Sequence, residues 1–272
     1  MRLNMRIALC FYGLVGSQTK KDGVGVTLDP AVAYQLNNEN IISNNKKLGH
    51  DVDVFIHSWS HEKEDELVKL YNPKSYQIEN QIEFPDSKKI AYNRDFSEKL
   101  MMLRSVIKNP KGLAQLFVDK KKEAFRAYSR WYSNKSVLDL KKNYEKEHGF
   151  VYDCVMVLRL DVGFYSSLNL CDLDMSKFYV SNWNVSPTRV NNYTYDQENH
   201  NLNEGFLDFW FISNSSNMDQ FATLYDDIRN YHVSPHRSAY QHTITFTDKI
   251  EYIKYRWLDF EMVRRKEFGA EK

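Results

Sequence analysis

The chain has 272 residues, of which 42% are hydrophobic and 27% charged, which is enough apolar material for one folded domain and excludes a disordered tail. Lys plus Arg number 37 against 36 Asp plus Glu, a net charge of +1; this excludes the basic excess of a general nucleic-acid binder, and no apolar run reaches the roughly 18 residues of a membrane span. The widely spaced Cys10, Cys154 and Cys171 predict buried thiols in a reducing compartment such as the cytoplasm, not a disulfide framework or a zinc site.

Met1 to Tyr12 holds a short apolar run without a small-residue cleavage site, so no signal peptide is expected. Arg6 to Tyr12 is a continuous apolar run ended by Gly13 and predicts a buried strand. After a glycine-containing loop, Asp29-Pro30 starts a helix that should run to about Lys47, with Gly49 ending it. Val52 to His57 is the next strand, which makes a βαβ unit. Glu62 to Tyr71 predicts a short helix and Ser75 to Ile78 a short strand; Ser97 to Lys108 is a helix stopped by Asn109-Pro110, and 112–147 is one long or broken helix before Gly149. Val151 to Leu158 is the clearest central strand and ends in Arg159-Leu-Asp161. Phe178 to Ser181 and Leu207 to Ile212 predict strands on either side of a polar loop, 184–205, long enough to serve as a lid or acceptor segment. Met218 to Tyr231 and Pro235 to Phe246 predict helices, and Ile250 to Tyr255 a last strand. Alternating strands and helices with no linker indicate a single α/β domain over 1–272, a sheet flanked by helices.

In open α/β sheets ligands bind beyond the carboxyl ends of the strands, which selects a few residues for chemistry. The first strand opens into Phe11-Tyr12-Gly13, where small residues let a ligand approach and free N–H groups can hold phosphate; an ordinary loop is the competing reading. There is no G-x-G-x-x-G fingerprint and no P-loop motif. His57, at the end of the second strand, could touch a base or ribose, or be structural. Asp161 emerges at the end of the central strand, where a carboxylate must bind a cation, accept hydrogen bonds or pair with a base. A metal ligand and an Arg159–Asp161 pair are both open readings. Asp51-x-Asp53 lies at the amino end of its strand, and Asp172-x-Asp174 lies in a loop. Asp208, inside the apolar run Phe206 to Ile212, is a candidate general base or a structural acceptor. His236 and His242 do not share one helical face, so at most one reaches a site; His242 is taken as the second candidate metal ligand beside Asp161.

Taken in order, these pieces resemble bacterial lipopolysaccharide and capsule glycosyltransferases, and similar enzymes of large viruses. The likeness rests on the first strand running into Phe-Tyr-Gly, on Asp53-Val-Phe-Ile-His-Ser-Trp59 and on Arg130-Trp-Tyr-Ser-Asn-Lys135 with Tyr144-Glu145. It continues through Tyr152-Asp-Cys-Val-Met-Val-Leu-Arg-Leu-Asp161 and Asp208-Phe-Trp-Phe-Ile-Ser-Asn214 with Met218-Asp219 and Phe221. The resemblance implies a GT-A-like, Rossmann-like mixed sheet flanked by helices. It implies a transferase that moves a sugar from a nucleotide-diphosphate donor to a glycan or lipid-linked acceptor in polysaccharide assembly. Nucleic acid is not an expected partner, and any membrane contact would be peripheral. By position, Asp161 stands where the family's Asp-x-Asp metal element ends, but Arg159 replaces the first Asp. Either Asp161 alone holds Mn²⁺ or Mg²⁺, or Arg159 supplies positive charge to the diphosphate itself. Arg130 and Lys135 could bind phosphate or base, or be helix surface charge. A catalytically degenerate glycan-binding protein and a sugar phosphotransferase are the competing functions.

Overall fold

The structure is a computed structural model that describes residues 4–16, 27–181, 205–253 and 259–263. Strands β1 (Arg6–Gly13), β2 (Asp51–Ser58), β3 (Ser75–Ile78), β4 (Cys154–Arg159), β6 (Phe178–Ser181), β7 (Leu207–Ser213) and β8 (Ile250–Ile253) form one seven-stranded sheet. Its order is β3-β2-β1-β4-β7-β6-β8. All ladders among β3, β2, β1 and β4 are parallel, and β7 runs antiparallel to both neighbours. The expected mixed sheet flanked by helices is what forms. Val162–Phe164 (β5) and Phe260–Met262 (β9) add a two-stranded antiparallel sheet that the sequence patterns did not predict; each strand is only three residues long.

The helices are α1 (Pro30–Asn37), α2 (Ser43–Lys47), α3 (Glu64–Tyr71), α4 (Phe96–Lys108), α5 (Leu113–His148), α6 (Ser215–Ala222), α7 (Leu224–Asp227) and α8 (Pro235–Thr243). Strand alternation divides β1 between two layers. Ala8, Cys10 and Tyr12 pack with α5, α6, α7 and α8, whereas Ile7, Leu9 and Phe11 pack with α3 and the small sheet. Both faces are therefore covered, which is why β1 and β4 read as unbroken apolar runs.

Three expected elements differ. The helix expected from Pro30 to Lys47 contains a π turn over Asn38–Ile42. The wider turn keeps Asn45 on the side of Asn37 and Asn40, although it lies five residues after Asn40. These three buried asparagines satisfy the backbone of the following segment. Asn37 donates to the Val162 carbonyl at 2.8 Å and accepts from the Phe164 N–H at 3.1 Å. Asn40 donates to the Phe164 carbonyl at 2.8 Å, and Asn45 bridges Leu168 and Leu170. The central strand starts at Cys154, not Val151, and reaches Arg159. The helix expected from Met218 to Tyr231 starts earlier, because the Asn214 side chain accepts from the Asn217 N–H at 2.9 Å, and it breaks at Thr223. The proposed lid, 184–205, lies outside the described residues apart from Gly205, as do 254 and 255 of the last strand.

The amino-terminal side of the sheet is closed by a buried ion network. Lys141 of α5 is fully buried and donates to Glu145 at 3.0 Å, Ser215 at 2.6 Å and Asp219 at 2.7 Å. Glu145 also accepts from Ser215 and from the Tyr152 N–H, so one cluster ties α5 to α6 and to the approach to β4. Removing the ammonium leaves the buried Glu145 carboxylate without its cation and Asp219 with only the exposed Lys142, at 3.3 Å. Lys141→Met should cost about 3–5 kcal/mol in urea unfolding; a loss below about 1 kcal/mol would contradict this role.

Candidate functional site

The chain passes from β1 outward to β2 and β3, then returns through α5 to β4 on the other side of β1. The direction of winding therefore changes between β1 and β4. In such sheets a crevice opens at that point, outside the carboxyl ends of the two strands. Tyr12 and Arg159 are directly paired across this junction.

The side chains there form two arginine–aspartate pairs around one tyrosine. Arg159 holds Asp161 with a two-pronged fork, Nε to Oδ1 at 2.8 Å and Nη2 to Oδ2 at 2.6 Å. Asp161 is 3% exposed, and its carbonyl accepts from the Val263 N–H at 2.9 Å, which pins the turn to the end of β9. Burial works against the Arg159 charge, but Asp161 outweighs it and raises the guanidinium pKa further. The fork uses one edge of the guanidinium. The Nη1 amino group and the second N–H of Nη2 remain on the other edge, and the side chain is 13% exposed.

The second pair joins Arg130 of α5 to Asp208 of β7, with the His236 ring nitrogen 3.4 Å from the same carboxylate. Strict alternation with Trp210 and Ile212 would put Asp208 in the opposite layer. The β6–β7 ladder shifts register between Val180 and Ser181, and Asp208 instead meets α5. Gly205, at φ +79°, lets this strand approach α8. A Cβ there would lie 2.1 Å from the His236 carbonyl oxygen, and His236 and Phe206 exchange bonds in both directions. Tyr12 sits between the pairs and donates a long, 3.4 Å bond to the Asp208 carbonyl. Burial raises its pKa; Arg130 and Arg159 pull it down and Asp161 adds to the rise, so the phenol stays neutral.

Four other candidate residues take no part in these two ion pairs. Phe11 faces the opposite layer, with its ring 4.7 Å from Tyr71, and fills core. His57, although paired in register with Tyr12, is fully buried; Nδ1 meets Ser133 Oγ at 2.7 Å and Nε2 meets Glu79 at 3.2 Å, so both nitrogens are used internally. Lys135 pairs with Asp226 at 2.9 Å and with Asp139, between α5 and α7. His242 is bound by Tyr231 and the Gln220 carbonyl, among the rings of Phe221 and Phe246. His236, not His242, stands beside Asp208. The signal was available in Pro235-His236, because proline opens a helix and the next residue sits in its first turn.

Gly13 lies at the crevice at φ +96° with open space where a Cβ would be. Its N–H, however, donates to Ser133 at 3.0 Å, and the Val15 N–H donates to Ser60. Those two amides hold the loop and are not free for phosphate. A concavity of about 560 Å³ lined by Phe84, Asp86, Tyr128, Tyr225 and Arg229 shares no residue with the Tyr12 cluster. Its aromatic rings belong to the buried packing around α5, so the strand-end crevice is the better candidate for chemistry.

The donor set does not suit a divalent ion. Both Asp161 oxygens already accept from a guanidinium, and among the described residues no three His, Cys, Asp or Glu side chains gather where they could hold a metal. Among the described residues, too, no helix is long and apolar enough to cross a membrane.

No family model matches this sequence, and no curated protein matches it. A crystal structure of a protein provisionally described as a nucleotide-diphospho-sugar transferase, from Desulfovibrio desulfuricans G20, is similar over 92% of this chain and 80% of that one. The identity is 12% and the TM-score 0.38, too low for the likeness to carry an argument. The class defined by the fold and site is thus a Rossmann-like α/β domain with two arginine–aspartate pairs at its strand switch.

Burial lowers the pKa of His57, partly offset by its bond to Glu79, and lowers that of His242, partly offset by Gln220. The unfolded chain then binds more protons than the folded one as pH falls through the ordinary value of 6.5. Stability should be full above that pH and decline below it until the folded-state values are passed. The melting temperature should drop between about pH 7.5 and pH 5.5, and less steeply in His57→Gln; equal slopes in the two proteins would contradict the assignment.

Proposed function

We propose that this chain is a glycosyltransferase that moves a sugar from a nucleotide-diphosphate donor to a glycan or lipid-linked acceptor. The observation that carries the reading is the Arg159 guanidinium. Asp161 fixes it at the strand switch and, among the described residues, nothing takes its second edge, which suits two-pronged binding of a phosphate. The sequence resemblance supplies the donor class.

In the transfer, the bond between the anomeric carbon and the diphosphate breaks, and its electron pair leaves on the phosphate oxygen. Arg159 stabilises that growing charge from a fixed position. Asp161 acts through Arg159 as a positioning residue. The acceptor hydroxyl forms the new bond to the anomeric carbon, and its proton passes to Asp208. Arg130 and His236 orient that carboxylate, and the Arg130 contact must open for the proton to reach it. Mn²⁺ or Mg²⁺ is assigned no step, because Arg159 occupies the carboxylate that would bind it.

Release of nucleotide from UDP-, GDP- and CMP-sugars by purified protein tests the proposal. Arg159→Ala should lower kcat about 10²–10³-fold and Asp208→Asn about 10²–10⁴-fold. Asp161→Asn should act mainly through misplacement of the arginine. Chelation by EDTA should leave the rate unchanged, and a rate that vanishes on chelation and returns with Mn²⁺ would reject the metal-free assignment. Near-normal turnover in both Arg159→Ala and Asp208→Asn would reject the site. Because both carboxylates are bound by arginines, a degenerate binding protein is the second reading; it predicts thermal stabilisation by a nucleotide sugar without turnover.

A further inference from the structure

The segment 96–123 stands out from the α/β body. It comprises α4, the short turn Pro110–Gly112 and the first part of α5, and no residue of α4 is buried. Among the described residues, seven of the twelve exposed large hydrophobic side chains fall within 92–118. Phe96, Leu103 and Ile107, at 81%, 56% and 69% exposure, recur at a spacing that stacks them in one stripe along α4. Lys99 and Arg104 flank the stripe on either side. Met101, Phe117 and Val118 are also exposed.

Charge on this hairpin is one-sided. The segment holds seven Lys or Arg against three Asp or Glu, in a chain whose net charge is +1. Two of the three acids are already paired: Glu98 with His232 at 2.7 Å, and Glu123 with Arg94 and with Lys120 of the same segment. Lys99, Arg104, Lys108, Lys111, Lys121 and Lys122 are exposed. A water-exposed apolar stripe bordered by cations fits an interface that is apolar below and anionic at its surface.

We infer that the 96–123 hairpin docks on the anionic face of a lipid bilayer, with Phe96, Leu103 and Ile107 entering the headgroup boundary and the lysines and arginines facing acidic lipids. The salt bridge from Asp95 to Arg237, at 2.7 Å, and the Glu98–His232 contact join the hairpin's base to α8 and to the segment before it. Docking would thus anchor the body beside the helix that carries His236. The inference does not depend on sugar transfer, and its test does not use activity.

Co-sedimentation of the full chain with vesicles of phosphatidylcholine, alone or with about 30% phosphatidylglycerol, is the measurement. The chain should bind the anionic vesicles at least about tenfold better, and added salt should weaken the binding. A Phe96→Ser, Leu103→Ser, Ile107→Ser variant and a separate Lys108→Glu, Lys111→Glu, Lys121→Glu variant should each lose at least about tenfold, with unchanged melting temperatures. No preference for the anionic vesicles, or wild-type binding by both variants, overturns the inference. So does light scattering that shows a dimer dissolved by the serine substitutions, because a second copy would then be the occupant of the stripe.

Discussion

Charge burial at the ends of β1, β4 and β7 constrains this molecule more than any other feature. Asp161 and Asp208 are each almost fully removed from water, and each is tolerable there only because a guanidinium meets it. The pairings fix geometry. Arg130 must reach across from α5, so the long helix has one position over the sheet; Arg159 must fold back on its own turn, so the chain leaving β4 has one direction. Tyr12 fills the space between them as a neutral phenol. The result is a preorganised cationic edge at the point where an open α/β sheet receives ligands.

Much of the framework was legible because local signals agreed with the tertiary fold. Apolar runs bounded by glycine or turn residues gave β1, β2 and β6. Asp29-Pro30 gave the start of α1, and Asn109-Pro110 the end of α4. The departures have particular causes. The π turn answers to the backbone of 162–170, which Asn37, Asn40 and Asn45 satisfy from more than 100 residues away, so no local pattern reveals it. Strands β5 and β9 are too short for alternation to register and exist because they pair with each other.

The site was legible in the same uneven way. Arg159 and Asp161 lie two residues apart at a strand end, and their pairing was one of the two readings that spacing allowed. Arg130–Asp208 joins a helix to a distant strand whose register shift reverses the expected face, and neither partner's neighbours announce the other. His57 has the placement of a ligand contact, one residue from a strand end, but α5 covers it and Ser133 and Glu79 take both its nitrogens. Metal coordination followed from the position of Asp161 alone, and the guanidinium of Arg159, two residues earlier, takes that carboxylate for itself. The hairpin at 96–123 was visible as helix, but a helix pattern does not say whether its apolar side will meet protein. Its exposure became apparent only once the sheet and the rest of α5 were seen to pack without it.

The most direct test is a structure of the chain with a non-transferable nucleotide-diphosphate sugar bound. The account predicts diphosphate oxygens within hydrogen-bonding distance of the outer edge of Arg159, while Asp161 keeps its hold on the inner edge. A donor bound away from the β1–β4 junction, or a divalent ion seated on Asp161 with Arg159 turned aside, would contradict it.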